Sequence, residues 1–242
     1  MKRWSLLALL MVLAACAPVP QRAGIPTLWQ GSPNFNDRKP NFVIIHHTGS
    51  DTADHALRTL VDPLREVSAH YLIARDGTIF QLVDERARAW HVGESKWGSN
   101  ADINSSSLGI ELDNNGDEPF PDPQISALLR LLTDIGERYH IPRENVLGHA
   151  DVAPRRKTDP SRYFPWQRLA EHGFGLWCDP PFADPPASFD AAMTLRALGY
   201  DVSDLDAATR AFTLHFLPDE SSTELTDRGR ALLHCLYQKS EF

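Results

Sequence analysis

The sequence predicts an α/β fold: a mixed central β-sheet flanked by helices, plus a small C-terminal three-helix domain. Three features point there. Short apolar runs such as Phe42-Val43-Ile44-Ile45 and Leu108-Gly109-Ile110-Glu111-Leu112 have the length of strands. Between and after them, apolar residues recur at helical spacing, most clearly Ile125, Leu128, Leu129, Leu132, Ile135 and Tyr139. A proline-rich stretch, Asp179-Pro180-Pro181-Phe182-Ala183-Asp184-Pro185-Pro186, is a semi-rigid spacer rather than the interior of an element. With 242 residues the chain has room for between one and two domains at about 150 residues each.

The N-terminus reads as an address. Lys2 and Arg3 precede an apolar run over 6–13, too short to cross about 30 Å of hydrocarbon. A basic start, a short apolar core and small residues after it make an export signal. Its end, Leu13-Ala14-Ala15-Cys16, resembles a bacterial lipobox, with an ordinary signal peptide and a chance cysteine as the alternative. The lipobox implies a signal peptide over 1–15 and lipidation at Cys16. Acyl chains contribute about 0.8 kcal/mol per buried CH₂, so several chains anchor stably. In a Gram-negative host, Ala17 in place of an aspartate implies a lipid anchor in the outer membrane, facing the periplasm. Residues 16–39 then form a proline-rich tether.

The body is expected over 40–178. Phe42-Val43-Ile44-Ile45 suits a strand buried on both faces. Tyr71-Leu72-Ile73-Ala74 and Thr78-Ile79-Phe80-Gln81-Leu82, joined through Asp76-Gly77, read as a hairpin. Asp122-Pro123 opens a helix with Asp122 expected at the N-cap, and Pro142 follows its end. The linker occupies 179–187. Residues 188–242 show three short apolar stripes, around Leu195, Phe212 and Leu233, which is a marginal core for three helices.

Charge narrows the function. Lys and Arg total 24 against 32 Asp and Glu, a net charge of −8, with no basic block. Nucleic-acid binding needs clustered cations, so none is expected. Three cysteines do not build a disulfide scaffold. With Cys16 assigned to lipid, Cys178 and Cys235 are either bridged, as an oxidising compartment permits, or two separate buried thiols. A monomer is expected.

Three residues at the ends of elements have metal-ligating chemistry. His46 ends the first buried strand, His149 follows the strand-like Asn145-Val146-Leu147, and Asp159 precedes Pro160. Two imidazoles and one carboxylate with an open fourth position make a catalytic zinc set. By residue type alone each has another reading: a polar strand end for the histidines, a helix N-cap for Asp159.

Five separated segments in order decide between these readings. Ile44-Ile45-His46-His47-Thr48, the run Val67-Ser68-Ala69-His70-Tyr71-Leu72-Ile73-Ala74-Arg75-Asp76-Gly77, Ala89-Trp90-His91-Val92-Gly93, Gly109-Ile110-Glu111, and Gly148-His149 with Lys157-Thr158-Asp159-Pro160 resemble the zinc-dependent N-acetylmuramoyl-L-alanine amidases, the family that includes phage lysozyme amidases and peptidoglycan recognition proteins. The resemblance covers about 40–170. It implies a Zn2+ cofactor held by His46, His149 and Asp159. It also implies Glu111 as the acidic residue beside the metal's water and Lys157 as the basic residue two before the aspartate. Some relatives place a tyrosine where Ala69 stands, and Glu111 puts this chain with those that use the glutamate.

The implied reaction is hydrolysis of the amide between N-acetylmuramic acid and L-alanine in peptidoglycan or muropeptides. A non-catalytic muropeptide-binding protein of the same fold is the rival, because such proteins often lose a zinc ligand. An endopeptidase on the same ligand set is a second. Trp90 and His91 are candidates for substrate contact, and Asn34, Trp97 and Asn114 for lining the same cleft. His70 is expected to be structural. His55, His140, His172, His215 and His234 are expected to be surface or packing residues. The C-terminal segment resembles a three-helix peptidoglycan-binding domain, although Thr213 stands where that family has glutamine, and a purely structural cap is the alternative.

Overall fold

A computed structural model describes residues 24–37, 40–220 and 224–240. The signal segment and Cys16 lie outside the described residues. Two short strands, β1 (Leu28–Trp29) and β2 (Phe35–Asp37), precede β3 (Phe42–His47) and helix α1 (Ala53–Val61). The expected hairpin forms as β4 (Tyr71–Ile73) and β5 (Ile79–Gln81), followed by β6 (Ala87–Ala89), the short helix α2 (Ile103–Ser106) and β7 (Ser107–Leu112). Helix α3 (Asp122–Tyr139), β8 (Val146–Gly148), α4 (His149–Val152) and α5 (Trp166–Glu171) complete the body, and α6 (Ala191–Leu198), α7 (Leu205–Phe216) and α8 (Asp227–Ser240) complete the chain.

The main sheet has the order β1-β5-β4-β7-β3-β8, and β2 pairs with β6 separately. The pairings β1–β5, β4–β7, β7–β3 and β3–β8 are parallel, while β4–β5 is antiparallel, so the sheet is mixed as expected. β3 lies between two parallel neighbours and is covered on both faces, which is why its first four residues are an unbroken apolar run. Val43 and Ile45 pack toward α3 in a core with Leu128, Leu132 and Ile135, while Ile44 packs on the other face with Val92, Ile103 and Leu147.

α3 begins at Asp122, with Pro121 at the N-cap. Asp122 therefore sits one position inside the helix rather than capping it. Its carboxylate accepts from Arg168 Nη1 at 2.5 Å and complements the positive end of the helix dipole from the first turn. At the other end, His140 takes the left-handed conformation (φ 54°) and its N–H bonds Gly136 O.

The three C-terminal helices share their core with the body. Leu195, Phe212, Leu232, Leu233 and Leu236 pack in one cluster with Ala150 and Cys178, and Trp97 and Trp177 lie against it. Asp190 and Asp204 cap α6 and α7 by accepting from Met193 N and Ala207 N. Of the two states open to the cysteines, the bridge forms: Cys178 and Cys235 are disulfide-linked. Among the described residues no helix is long and apolar enough to cross a membrane.

Candidate metal centre

Strand register brings together candidate ligands that lie far apart in sequence. Ile45 pairs with Gly148 across β3–β8, so the next residues, His46 and His149, emerge side by side at the carboxyl ends of neighbouring parallel strands. Asp159 is brought to them by the loop after α4, whose Ala150 N donates to Asp159 O at 2.8 Å. The three side chains converge on one point. His46 Nδ1 lies 2.9 Å from His149 Nδ1 and 3.1 Å from Asp159 Oδ2, and His149 Nδ1 lies 3.0 Å from the same oxygen. All three residues are buried.

The surrounding hydrogen bonds define which ring nitrogens carry lone pairs. His149 Nε2 faces Val92 O at 3.1 Å and must donate to it, which leaves Nδ1 bare. Ser107 spends its hydroxyl proton on Ile103 O (2.6 Å) and so accepts from His91 Nε2 at 3.1 Å. With neutral rings, His91 Nδ1 then accepts from His46 Nε2 at 3.0 Å, and His46 Nδ1 is bare as well. Two imidazole lone pairs and a carboxylate oxygen are thus aimed at one another with no proton between them. Such a set fits a divalent cation: donors about 2.0–2.2 Å from a tetrahedral zinc stand roughly 3.3 Å apart. Outward N–H groups fixed by a carbonyl or another side chain are the usual support of metal-binding imidazoles.

Electrostatics agree with a neutral His46 ring. Burial lowers His46 to about 4, and the neighbouring His149 adds to the effect, so the ring stays neutral. Burial alone would raise Asp159, but the adjoining His149 and His46 rings hold it well below the usual carboxylate range.

The centre opens into a cleft of about 320 Å³ whose wall includes Glu111, Lys157, Trp90 and His91. Glu111 pairs with His46 in the β3–β7 register, and its Oε2 is enclosed with no hydrogen-bond partner among the described residues. Burial pushes its carboxyl up to about 8, the charge of Asp159 adds to that rise, and Lys157 opposes it. Lys157 is half-buried and follows α4, its N–H bonding Ala153 O.

Other expectations fare differently. His70 is structural as read: fully buried, it donates from Nε2 to Ala87 O and accepts at Nδ1 from Gly109 N. His91 lines the cleft, but its ring nitrogens engage His46 and Ser107, which makes it a support of the ligand. Three residues expected on the cleft face elsewhere. Asn34 is buried and ties down Asp62 O and Val67 O. Trp97 packs edge-on against Tyr200. Asn114 is buried in a turn, donating to Glu118 O and accepting from Gly116 N. His55, expected to be a surface or packing residue, is exposed on the cleft wall.

Two supports escape sequence reading. Asn104 Oδ1 accepts from both His91 N and Val92 N and so fixes the loop that carries them. Gly109 leaves the space that the His91 ring fills, since a Cβ there would stand 2.5 Å from it. The glycine in Gly109-Ile110-Glu111 was the available signal for the second.

Comparison with known proteins gives a consistent picture. Residues 36–162 match the family described as N-acetylmuramoyl-L-alanine amidase, a span that holds all three converging ligands. The chain is similar to the amidase AmiD of Escherichia coli (38% identity over 230 residues, 81% of this chain and 82% of that one). It is also similar to the 1,6-anhydro-N-acetylmuramyl-L-alanine amidase AmpD of Haemophilus influenzae (34% identity, 57% of this chain and 86% of that one). Among solved structures, E. coli AmiD in complex with anhydro-N-acetylmuramic acid-L-Ala-D-gamma-Glu-L-Lys superposes with a TM-score of 0.72 at 36% identity, covering 86% of this chain and 91% of that one. AmpDh3 of Pseudomonas aeruginosa in complex with anhydromuramic pentapeptide gives 0.76 at 30% identity, covering 84% and 93%. With its matched span, its relatives over most of its length and its two-histidine, one-aspartate centre, the chain belongs to the N-acetylmuramoyl-L-alanine amidase family.

Proposed function

We propose that the chain is a zinc amidase that hydrolyses the amide between the lactyl group of N-acetylmuramic acid and L-alanine, in peptidoglycan or muropeptides. The observation that carries this is the convergence of two bare Nδ1 atoms and one carboxylate oxygen at the base of a cleft that also presents Glu111 and Lys157. The muropeptides bound in the AmiD and AmpDh3 structures support the substrate class. The donor set favours zinc, which takes nitrogen and oxygen ligands in a tetrahedron and leaves one position open.

His46, His149 and Asp159 hold the metal. A zinc ion there supplies Lewis acidity toward the carbonyl and acidifies water to a pKa of about 7. Glu111 takes the proton of the attacking water and returns it to the leaving nitrogen of L-alanine. Lys157 faces the carbonyl oxygen and stabilises the charge that develops on it. Trp90 offers an apolar wall to the sugar or stem peptide. His91 keeps the His46 ring in place while it lines the substrate channel.

The organisation read from the sequence completes the proposal. The signal over 1–15 is removed, Cys16 is acylated, and the tether over 16–39 presents a monomeric amidase body to the periplasm from the outer membrane. Past the linker at 179–187, the segment over 188–242 is either a peptidoglycan-binding domain or a purely structural cap on the body. The mass of the N-terminal peptide beginning at Cys16 tests the anchor.

The decisive experiment digests sacculi and 1,6-anhydro muropeptides with purified protein and identifies products by mass spectrometry, paired with metal analysis. Stem peptides with free N-terminal alanine, lost on chelation and restored by zinc, are the expected result. Cleavage at another bond sinks the amidase assignment. Binding without release replaces it with the muropeptide-binding alternative.

A further inference from the structure

The short helix α4 begins with the ligand His149, and its third residue, Asp151, is 1% exposed. The Asp151 carboxylate accepts three hydrogen bonds: from Gly148 N at 2.7 Å, from the Tyr200 hydroxyl at 2.7 Å and from His215 Nδ1 at 2.8 Å. The first donor is the residue that joins β8 to the ligand. The other two come from the C-terminal helical segment, outside the span 36–162 that matches the family. A buried carboxylate is costly unless its oxygens are paired, so these donors fix Asp151 and with it the first turn of α4.

That turn controls two ligands at once. It carries His149, and its Ala150 N holds the backbone of Asp159 at 2.8 Å. We infer that Tyr200 and His215 are positioning residues of the metal centre. Through Asp151 they hold α4 where His149 and Asp159 converge with His46. The inference rests on the reading that these three residues bind the metal. It makes the C-terminal segment part of the catalytic body's construction, whatever else that segment binds.

A packing role is the alternative, because the His215 ring is stacked on Trp166 (3.8 Å between centroids) and Phe216 (4.0 Å), and Tyr200 packs on Trp97 and Phe212. Conservative variants separate the two roles. Tyr200→Phe and His215→Phe keep an aromatic ring and lose the donor to Asp151. His215→Asn loses the ring and keeps an N–H donor close to the Nδ1 position. The readouts are the zinc dissociation constant by chelator competition and the visible spectrum of the cobalt(II)-substituted protein, with thermal melts to confirm folding.

Both phenylalanine variants are expected to bind zinc about 10- to 100-fold more weakly, the usual effect of removing a group that orients a ligand, and to shift the cobalt bands. His215→Asn is expected to stay close to the parent. Parent affinity and an unchanged cobalt spectrum in Tyr200→Phe and His215→Phe overturn the inference, as does a His215→Asn variant as impaired as His215→Phe. If His215→Phe does not fold, Tyr200→Phe and Asp151→Asn decide by the same readouts. His149→Ala runs alongside: if it binds zinc like the parent, the ligand assignment itself has failed, separately from the clamp.

Discussion

Glu111 stands directly opposite His46 across the parallel β3–β7 ladder. Paired positions project to the same face of a sheet, so the carboxyl enters the cleft beside a proposed metal ligand. Burial, reinforced by Asp159, pushes it up to about 8, a direction that suits the proton acceptor and donor proposed for it. Glu111→Gln should therefore keep one metal per chain and lose about 10²- to 10⁴-fold in kcat. Metal analysis and steady-state kinetics on a muropeptide check this. A metal-loaded variant with the parent's turnover would remove Glu111 from the chemistry.

The task proposed for Lys157 is different, and so is its expected kinetic signature. It lines the same cleft as Glu111 and His46. Negative charge gathers on the carbonyl oxygen only as the amide is attacked, so a cation aimed there acts on the transition state more than on bound substrate. Lys157→Met should lower kcat by about 10²- to 10³-fold and leave KM nearly unchanged. A rise in KM at constant kcat would reassign Lys157 to substrate binding.

The sequence exposes some of this architecture and hides the rest for physical reasons. β3 and α3 are legible because burial on both faces and burial on one helical stripe leave different apolar patterns. β1, β2 and β6 have two or three residues each, too few to show any period. The ligand set is legible through its resemblance to a family. Its spacing of 103 and 10 positions means nothing until Ile45 meets Gly148, and no local pattern encodes that register. Asn104 and the Asp151–His215 pair are buried polar contacts between distant segments, and such contacts leave no periodic trace. Asn34, Trp97 and Asn114 look like cleft residues by type, but their polar or aromatic groups are used to fix loops and to join the C-terminal helices to the body.

A second buried carboxylate sets the stability of the body. Glu85 is fully buried and is held by the Tyr71 hydroxyl at 2.5 Å, the Tyr139 hydroxyl at 3.0 Å and both terminal nitrogens of Arg138. This pins the end of α3 to the sheet. Arg138→Met leaves the carboxylate without its compensating charge and should cost about 3–5 kcal/mol of unfolding free energy, measured by urea denaturation. The double variant with Glu85→Gln should recover part of the loss. If it recovers none, the ion pair is not the source of the effect.

The same cluster predicts an alkaline limit. Burial, followed by the charge of Glu85, raises Tyr139 to about 12 and Tyr71 further still. The folded chain therefore keeps phenolic protons that the unfolded chain releases near pH 10. The stabilisation is complete below that pH and is lost as pH climbs toward the folded values. Unfolding free energy should fall between about pH 10 and 12, and Tyr71→Phe should flatten the decline. An unchanged slope in that variant would place the alkaline sensitivity elsewhere.

The disulfide closes a loop that contains the residues proposed to hold Asp151. Cys178 and Cys235 are 57 positions apart, and between them lie α6, Tyr200 and α7 with His215. Cross-linking a loop of this length restricts the unfolded chain by roughly 4 kcal/mol in the loop-entropy account. Cys178 is 2% exposed, so alanine is the better replacement: serine would add the burial of a hydroxyl to the loss of the bridge. Cys178→Ala/Cys235→Ala should melt several degrees below the oxidised parent, and the parent should approach the variant when reductant is added. If metal is in place and Tyr200 and His215 position its ligands, the bridgeless protein should also surrender zinc to a chelator faster at temperatures where α7 begins to loosen. Equal melting temperatures with and without reductant would show that packing of Leu232, Leu233 and Leu236 against α6 and α7 holds the segment unaided.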